Sequence, residues 1–363
     1  MIRPSRGLGF ERFSGLYFWA VLIVIFTIWQ PEIFPTMATV HSVAADRSIT
    51  AMLALAVLIP LACGAFDLSI GANANLCTIS AVLLINRGWS LPVTVIVSVL
   101  IGTAIGAFNG FVVVRFKVSS FITTLGSASV IAAIQIIITD NLQPLPPINR
   151  AWSAFTQTTV LGFQVVVLYM LVVALVLWWV LQHTPVGRYL YAIGSSPEAA
   201  RLSGARVDRF TFLSLMAAGS LAGLTGAIYA SLAGPSLSYG SSLLLPAFAA
   251  VFLGSTQIIP GRFNVWGTVL SIFVLATGVK GLQLATDAQW LDPMFSGGAL
   301  IAAVAVALGR QRASEEKARK RLVAAATGGG SSSPTGGPGG GPTDGSAETA
   351  RSAPAGSPSP QRS

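Results

Sequence analysis

Apolar residues fall in ten blocks along the chain, at 15–30, 49–64, 68–86, 92–114, 120–139, 163–181, 211–233, 243–258, 264–285 and 294–309. A helix crosses the hydrocarbon of a bilayer with about 20 mostly apolar residues, so each block predicts a span. The block at 243–258 is short enough to be re-entrant or broken. The pattern predicts an all-α polytopic membrane protein of about ten transmembrane helices in two related halves. Three polar interruptions stand out: Cys63 to Gly71, the long island at 182–210, and the stretch from Gly254 to Asn264. Paired Gly- or Pro-interrupted apolar segments in two halves are the best sequence pointer to a transport path. Five spans per half would set the two halves in opposite orientation.

Composition agrees and excludes an ordinary soluble domain: 53% of the 363 residues are hydrophobic, 10% are charged, and mean hydropathy is +0.71. Basic residues of short loops belong on the cytoplasmic side. With both termini inside, Arg3, Arg6, Arg12, Arg115, Lys117, Arg188, Arg201, Arg206, Arg209, Arg262 and those from Arg310 onward are cytoplasmic, leaving Arg47, Arg87, Arg150 and Lys280 on the outer half. Topology thus accounts for the net charge of +9, and nucleic-acid binding has no part in it. The expected organisation is a cytoplasmic N-terminus at 1–14, an uncleaved transmembrane domain at 15–309, a basic flank at 310–327 beside membrane lipid, and a Gly/Ser/Pro-rich tail at 328–363 too polar to fold. The protein belongs, on this reading, in the cell membrane.

The island at 182–210 carries helix punctuation. Ser195 or Ser196 is the N-cap, Pro197 sits in the first turn, Glu198 is near the positive end of the dipole, Arg201 comes late and Gly204 is the stop. A helix this short is marginal in water, so it rests against another surface and reads as a docking element. The same run, Tyr189-Leu190-Tyr191-Ala192-Ile193-Gly194 followed by Glu198-Ala199-Ala200-Arg201-Leu202-Ser203-Gly204, resembles the cytoplasmic loop in the permease subunits of ribose-type, simple-sugar ABC importers. Further matches follow in order: Asp67-Leu68-Ser69-Ile70-Gly71, Phe108-Asn109-Gly110 and Phe121-Ile122-Thr123-Thr124-Leu125-Gly126. The likeness spans about residues 45 to 310. It implies import of a monosaccharide or similar small polar solute by alternating access. The implied partners are a cytoplasmic ABC ATPase, an extracellular or periplasmic sugar-binding protein, and a second permease copy, identical or related. It assigns Ser196, Glu198, Ala199, Arg201, Leu202, Ser203 and Gly204 to ATPase coupling. Lys280 departs from the family pattern, where an amide is expected.

Catalytic motifs are absent. None of the four lysines follows a glycine, so there is no P-loop, and ATP hydrolysis is expected in a partner chain. Leu202-Ser203-Gly204 looks like the signature of ABC ATPases but has no nucleotide to contact. Neither His41 nor His183 has a ligand or triad partner at suitable spacing, which removes the case for a metal, a cofactor or a hydrolase. Cys63 and Cys77 read as buried small hydrophobes.

Asp67 is the sharpest polar residue, since a carboxylate at the bilayer centre costs about 2.5–3.5 kcal/mol on insertion scales. Two arrangements satisfy it: a cytoplasmic turn in which it caps the next helix, or an unwound intramembrane break lining an aqueous path. Ser69, Asn73 and Asn75 extend a polar stripe able to face a sugar's hydroxyls, and Asn109 and Thr124 are further path candidates. Helix capping and interhelical hydrogen bonding are the competing use of such residues. Gly102, Gly106 and Gly110 read as close helix packing. The rival class is a secondary transporter coupled to protons or sodium, for which only Asp67 offers an intramembrane carboxylate. A Pro-rich outer loop at 140–162, with Trp152 taken as exposed, offers a docking surface or a membrane anchor.

Overall fold

The computed structural model describes residues 10–286, 288, 290–305 and 309; the expected basic flank and tail lie outside them, as do residues 1–9. The elements in order are α1 (Phe10–Trp29), α2 (Met37–Ala62), α3 (Ile70–Asn86), α4 (Leu91–Phe116), α5 (Ser120–Thr139), α6 (Arg150–Gln157), a two-strand pair β1 (Thr159–Val160) and β2 (Phe163–Gln164), and α7 (Val165–His183). There follow α8 (Pro185–Ser195), α9 (Pro197–Leu202), α10 (Val207–Ala233), α11 (Tyr239–Ser242), α12 (Leu244–Gly254), α13 (Val265–Thr286) and α14 (Leu291–Ala305). Among the described residues six helices, α2, α4, α5, α7, α10 and α13, are long and apolar enough to cross a membrane. The other four apolar blocks are shorter helices: residues 15–29 of α1, α3, α11 with α12, and α14.

Several boundaries differ from the hydropathy reading. α2 begins at Met37 rather than at 49, because its first turns are polar and are held by other means. Thr36 caps it, accepting from Thr39 N at 3.3 Å, and Arg47 bonds Asp292 at 3.1 Å. Hydropathy marks only the part of a helix that lipid or core must solvate. α12 stops at Gly254, so the block at 243–258 is a short helix preceded by the single turn of α11.

α2 is the centre of the molecule. From Ser48 to Ala62 it is buried on every side, as expected of a helix apolar all round. In its most apolar stretch 78% of residues are buried, against 17% in α5, so α5 presents apolar side chains outward where lipid solvates them. α4 and α10 cross in close contact. A β-carbon on Gly102 would overlap the Gly219 carbonyl oxygen, and one on Gly106 the Leu215 carbonyl oxygen, so the glycines of α4 do serve packing.

The outer loop is more ordered than its prolines imply. Asn149 caps α6, accepting from Ala151 N at 2.9 Å. Trp152 is not an exposed anchor: it is 2% exposed, wedged against Val82, Ala227 and Ala230 of α3 and α10. The helical period of α6 turns it inward, and Ser231 Oγ donates to its carbonyl oxygen at 2.5 Å.

Candidate functional site

The first break, between α2 and α3, forms where Gly64 takes φ +79, a left-handed conformation that ends α2. Cys63, Gly64 and Ala65 turn back on Leu61 and Pro60 through backbone bonds of 2.9–3.0 Å. Asp67 then organises the approach to α3. Its Oδ1 accepts from Ser69 N at 2.9 Å and from Ser69 Oγ at 2.6 Å, and it is 1% exposed. Asn109 Nδ2 of α4 donates to Ser69 Oγ at 2.8 Å, and Thr124 Oγ1 of α5 accepts from Leu68 N at 3.0 Å. Phe66 N donates to Ser120 Oγ at 3.0 Å. Ser120 opens α5, and Thr211, 3.9 Å from Cys63 Sγ, lies in the second turn of α10. The break is therefore level with the helix ends on the face that carries α8 and α9, which is the geometry of a turn rather than of a mid-membrane interruption.

Deeper along α3 the polar stripe clasps neighbouring elements. Asn73 Nδ2 reaches the Gly102 carbonyl oxygen at 3.2 Å. Asn75 donates to Gln135 Oε1 at 2.8 Å and to the Leu237 carbonyl at 2.7 Å, and accepts from Gly240 N at 3.3 Å. Gln135 Nε2 in turn donates to the Ala72 carbonyl at 2.9 Å. The structure thus brings together Asp67, Ser69, Asn109 and Thr124 at the break, with Asn73 and Asn75 further up the same helix. All six are buried and bonded within the chain, and among their fully enclosed side-chain polar atoms only Asn109 Oδ1 lacks a partner. Nearby, Tyr229 and Tyr239 stack with centroids 3.8 Å apart beside a cavity of about 10 Å³, room for about one water. The polar stripe is packed shut in this conformation.

Lys280 lies elsewhere. It is half-buried in a groove of about 520 Å³ between α1, α2 and α13, with Trp19, Phe34, Phe273 and Thr277.

The second break, between α12 and α13, is organised by Asn264, which the sequence marked only as the end of the stretch. Its amide nitrogen lies 3.0 Å from the carbonyl oxygens of Gly254, Gln257 and Arg262. Its Oδ1 accepts from Gly267 N at 2.7 Å, as an N-cap does for the helix that follows. The available signal was an Asn shortly after Pro260-Gly261 and just before an apolar block.

The island between the halves holds two helices rather than one. α8, missed by the sequence reading, starts with Pro185 in its first turn and buries Leu190 and Ile193. α9 is the expected short helix. Ser196 is its N-cap and accepts from Ala199 N at 3.3 Å. At its end Gly204, at φ +86, donates to the Arg201 carbonyl at 3.0 Å, and Ala205 N donates to the Ala200 carbonyl at 3.0 Å. That pair of bonds is a Schellman closure. Ala200 alone is buried, so Glu198, Ala199, Arg201, Leu202 and Ser203 face outward, Leu202 with 91% of its surface free. Arg201 and Lys117 both bond Asp208, at 3.6 and 2.7 Å, tying α9 to α10 and to the α4–α5 turn.

Residues 39–304 match the family described as the permease component of branched-chain amino acid transport systems. The chain is 30% identical to the autoinducer 2 import system permease protein LsrC of Photorhabdus laumondii over 78% of its length and 84% of that relative's. It is 29% identical to the ribose import permease protein RbsC of Bacillus subtilis over 83% and 92% of the two chains. It is also 29% identical to the autoinducer 2 import system permease protein LsrD of Escherichia coli, over 82% and 93%. No solved structure matches. The matched span takes in both breaks, the helices that flank them and the polar island, and so the chain belongs to this family of importer permease components, as a multi-pass membrane protein.

Proposed function

We propose that the chain is the membrane-spanning subunit of an ATP-binding-cassette importer for a monosaccharide or similar small polar solute, with both termini in the cytoplasm. A separate ATPase docks on α9, a binding protein delivers solute from outside, and a second permease copy completes the path. The observation that carries this reading is α9 itself: a six-residue helix, capped at both ends and tied to α10 through Arg201 and Asp208, that leaves Glu198 and Leu202 exposed. An isolated helix of this length does not persist in water, and a free leucine at its tip is the kind of side chain a partner's cleft covers. The sugar assignment rests on relatives that import ribose or autoinducer 2 and are aligned over most of their length. A secondary transporter is not favoured, because the sole buried carboxylate among the described residues, Asp67, spends its bonds on its own turn.

In the proposed cycle, ATP closure of the ATPase dimer displaces α9, the breaks at 63–69 and 255–264 shift with it, and the packed stripe around Asn75 opens outward; hydrolysis restores the closed packing. Reconstitution tests this. In vesicles the chain alone should show no ATP hydrolysis and no ribose flux. With its ATPase and a sugar-loaded binding protein it should show ATP-dependent uptake. Uptake driven by a proton or sodium gradient without ATP would reject the reading.

A further inference from the structure

α8 lies between the two breaks and touches each of them with one turn. On one side Gly194 meets the end of α2 backbone to backbone. A β-carbon at 194 would overlap the Ala62 carbonyl oxygen, and one at Gly64 would sit 3.4 Å from Gly194 Cα. On the other side, three residues earlier, Tyr191 Oη donates to the Phe263 carbonyl oxygen at 2.7 Å, and the Arg262 guanidinium lies 3.4 Å above its ring. Positions i and i+3 are neighbours on a helix surface, so a single patch of α8 holds both contacts. Ala62 and Gly64 begin the turn that ends at Asp67, and Arg262 and Phe263 precede Asn264, the residue that closes the second turn.

The mechanical consequence follows from stiffness. Leu190 and Ile193 anchor α8 in the core at 4% and 1% exposure, and only Ser196 separates α8 from α9. Backbone contact at Gly194 leaves no flexible side chain to absorb a displacement. At Tyr191 a hydrogen bond and a stacked cation act on one rigid ring. Burial pushes the Tyr191 phenol up, with Arg262 pulling the other way, so the hydroxyl remains a donor at neutral pH.

We propose that Tyr191 and Gly194 are the joint through which movement of α9 reaches both helix breaks together. They are positioning residues that touch neither nucleotide nor solute. The proposal rests on the reading of α9 as the ATPase docking helix.

The test uses the full chain in complex with its ATPase, with spin labels at Phe66→Cys and Pro260→Cys, one in each break and both exposed. The label distance is measured without nucleotide and after trapping with ATP and vanadate, and ATPase association is measured on the same samples. The doubly labelled chain with Tyr191 and Gly194 intact should show a nucleotide-dependent shift. Tyr191→Ala and Gly194→Leu should abolish that shift while ATPase association stays within two-fold, and Arg262→Lys, which keeps a cation over the ring, should retain it. If Gly194→Leu fails to insert, Tyr191→Ala decides. An undiminished shift in Tyr191→Ala overturns the joint alone, and so does loss of shift accompanied by loss of ATPase binding, since that is general unfolding of the loop. No ATPase association by the chain with both residues intact would remove the docking reading, and this proposal with it.

Discussion

Asn75 is the clasp whose energetics follow most directly from the structure. Its amide uses its full donor capacity on Gln135 Oε1 and the Leu237 carbonyl, while its oxygen takes Gly240 N. The three bonds fasten α3 to α5 and to the segment leading into α11, at positions where Asn75 is 1% and Gln135 5% exposed. Side-chain hydrogen bonds between membrane helices average about 0.6 kcal/mol and reach about 1.7, and buried bonds in soluble proteins contribute about 0.5–1.5. Asn75→Ala should therefore cost about 2–4 kcal/mol, since it strands two acceptors and a backbone donor together. Gln135→Ala shares only one of these bonds, so the double-mutant cycle between the two residues should give a coupling of about 0.6–1.7 kcal/mol. Reversible unfolding in mixed dodecylmaltoside and dodecyl sulfate micelles, followed by tryptophan fluorescence, measures both quantities. A cost for Asn75→Ala under about 0.5 kcal/mol, or a coupling indistinguishable from zero, would refute the clasp as a source of stability.

Asn264→Ala removes an N-cap and frees three carbonyls of the second break, so it should lose about 2 kcal/mol in the same unfolding assay and uptake should fall with it. Asp67→Asn keeps an acceptor for Ser69 N and should fold and transport nearly as the parent, because no Lys, Arg or His among the described residues is paired with Asp67; Asp67→Ala strands that donor and should cost about 1–3 kcal/mol. Uptake measured beside thermal stability checks this, and an inserted Asn variant as inactive as Ala would assign a role to the charge itself. Leu202→Glu lies on open surface, so stability should change by less than about 0.5 kcal/mol while pull-down of the ATPase weakens ten-fold or more. A β-carbon at Gly204 meets no neighbour within 4 Å, so the left-handed backbone sets the cost of Gly204→Val, about 1–2 kcal/mol confined to the end of α9.

Sequence by itself determined the features that depend on local chemistry or on transfer from water. The apolar blocks had to become helices, because hydrocarbon leaves no other partner for their backbone groups, and among the described residues each of the ten carries a helix. The caps of α9 were legible in Ser195 or Ser196, Pro197 and Gly204, since capping uses atoms only a few residues apart, and the structure chose Ser196. The polar stripe from Asp67 to Asn75 was legible as a set, because polar groups in an apolar run are costly enough to be conspicuous. Tertiary structure alone decided what that stripe holds. Gln135 and the Gly240 amide are 60 and 165 residues from Asn75, and nothing local selects them. It also turned Trp152 inward, added polar turns to α2 through Asp292, and seated Tyr191 and Gly194 against breaks that belong to opposite halves. Hydropathy reports how a residue is solvated, whereas partner choice is set by which helices cross and at what depth, and that information resides in the packing of the whole chain.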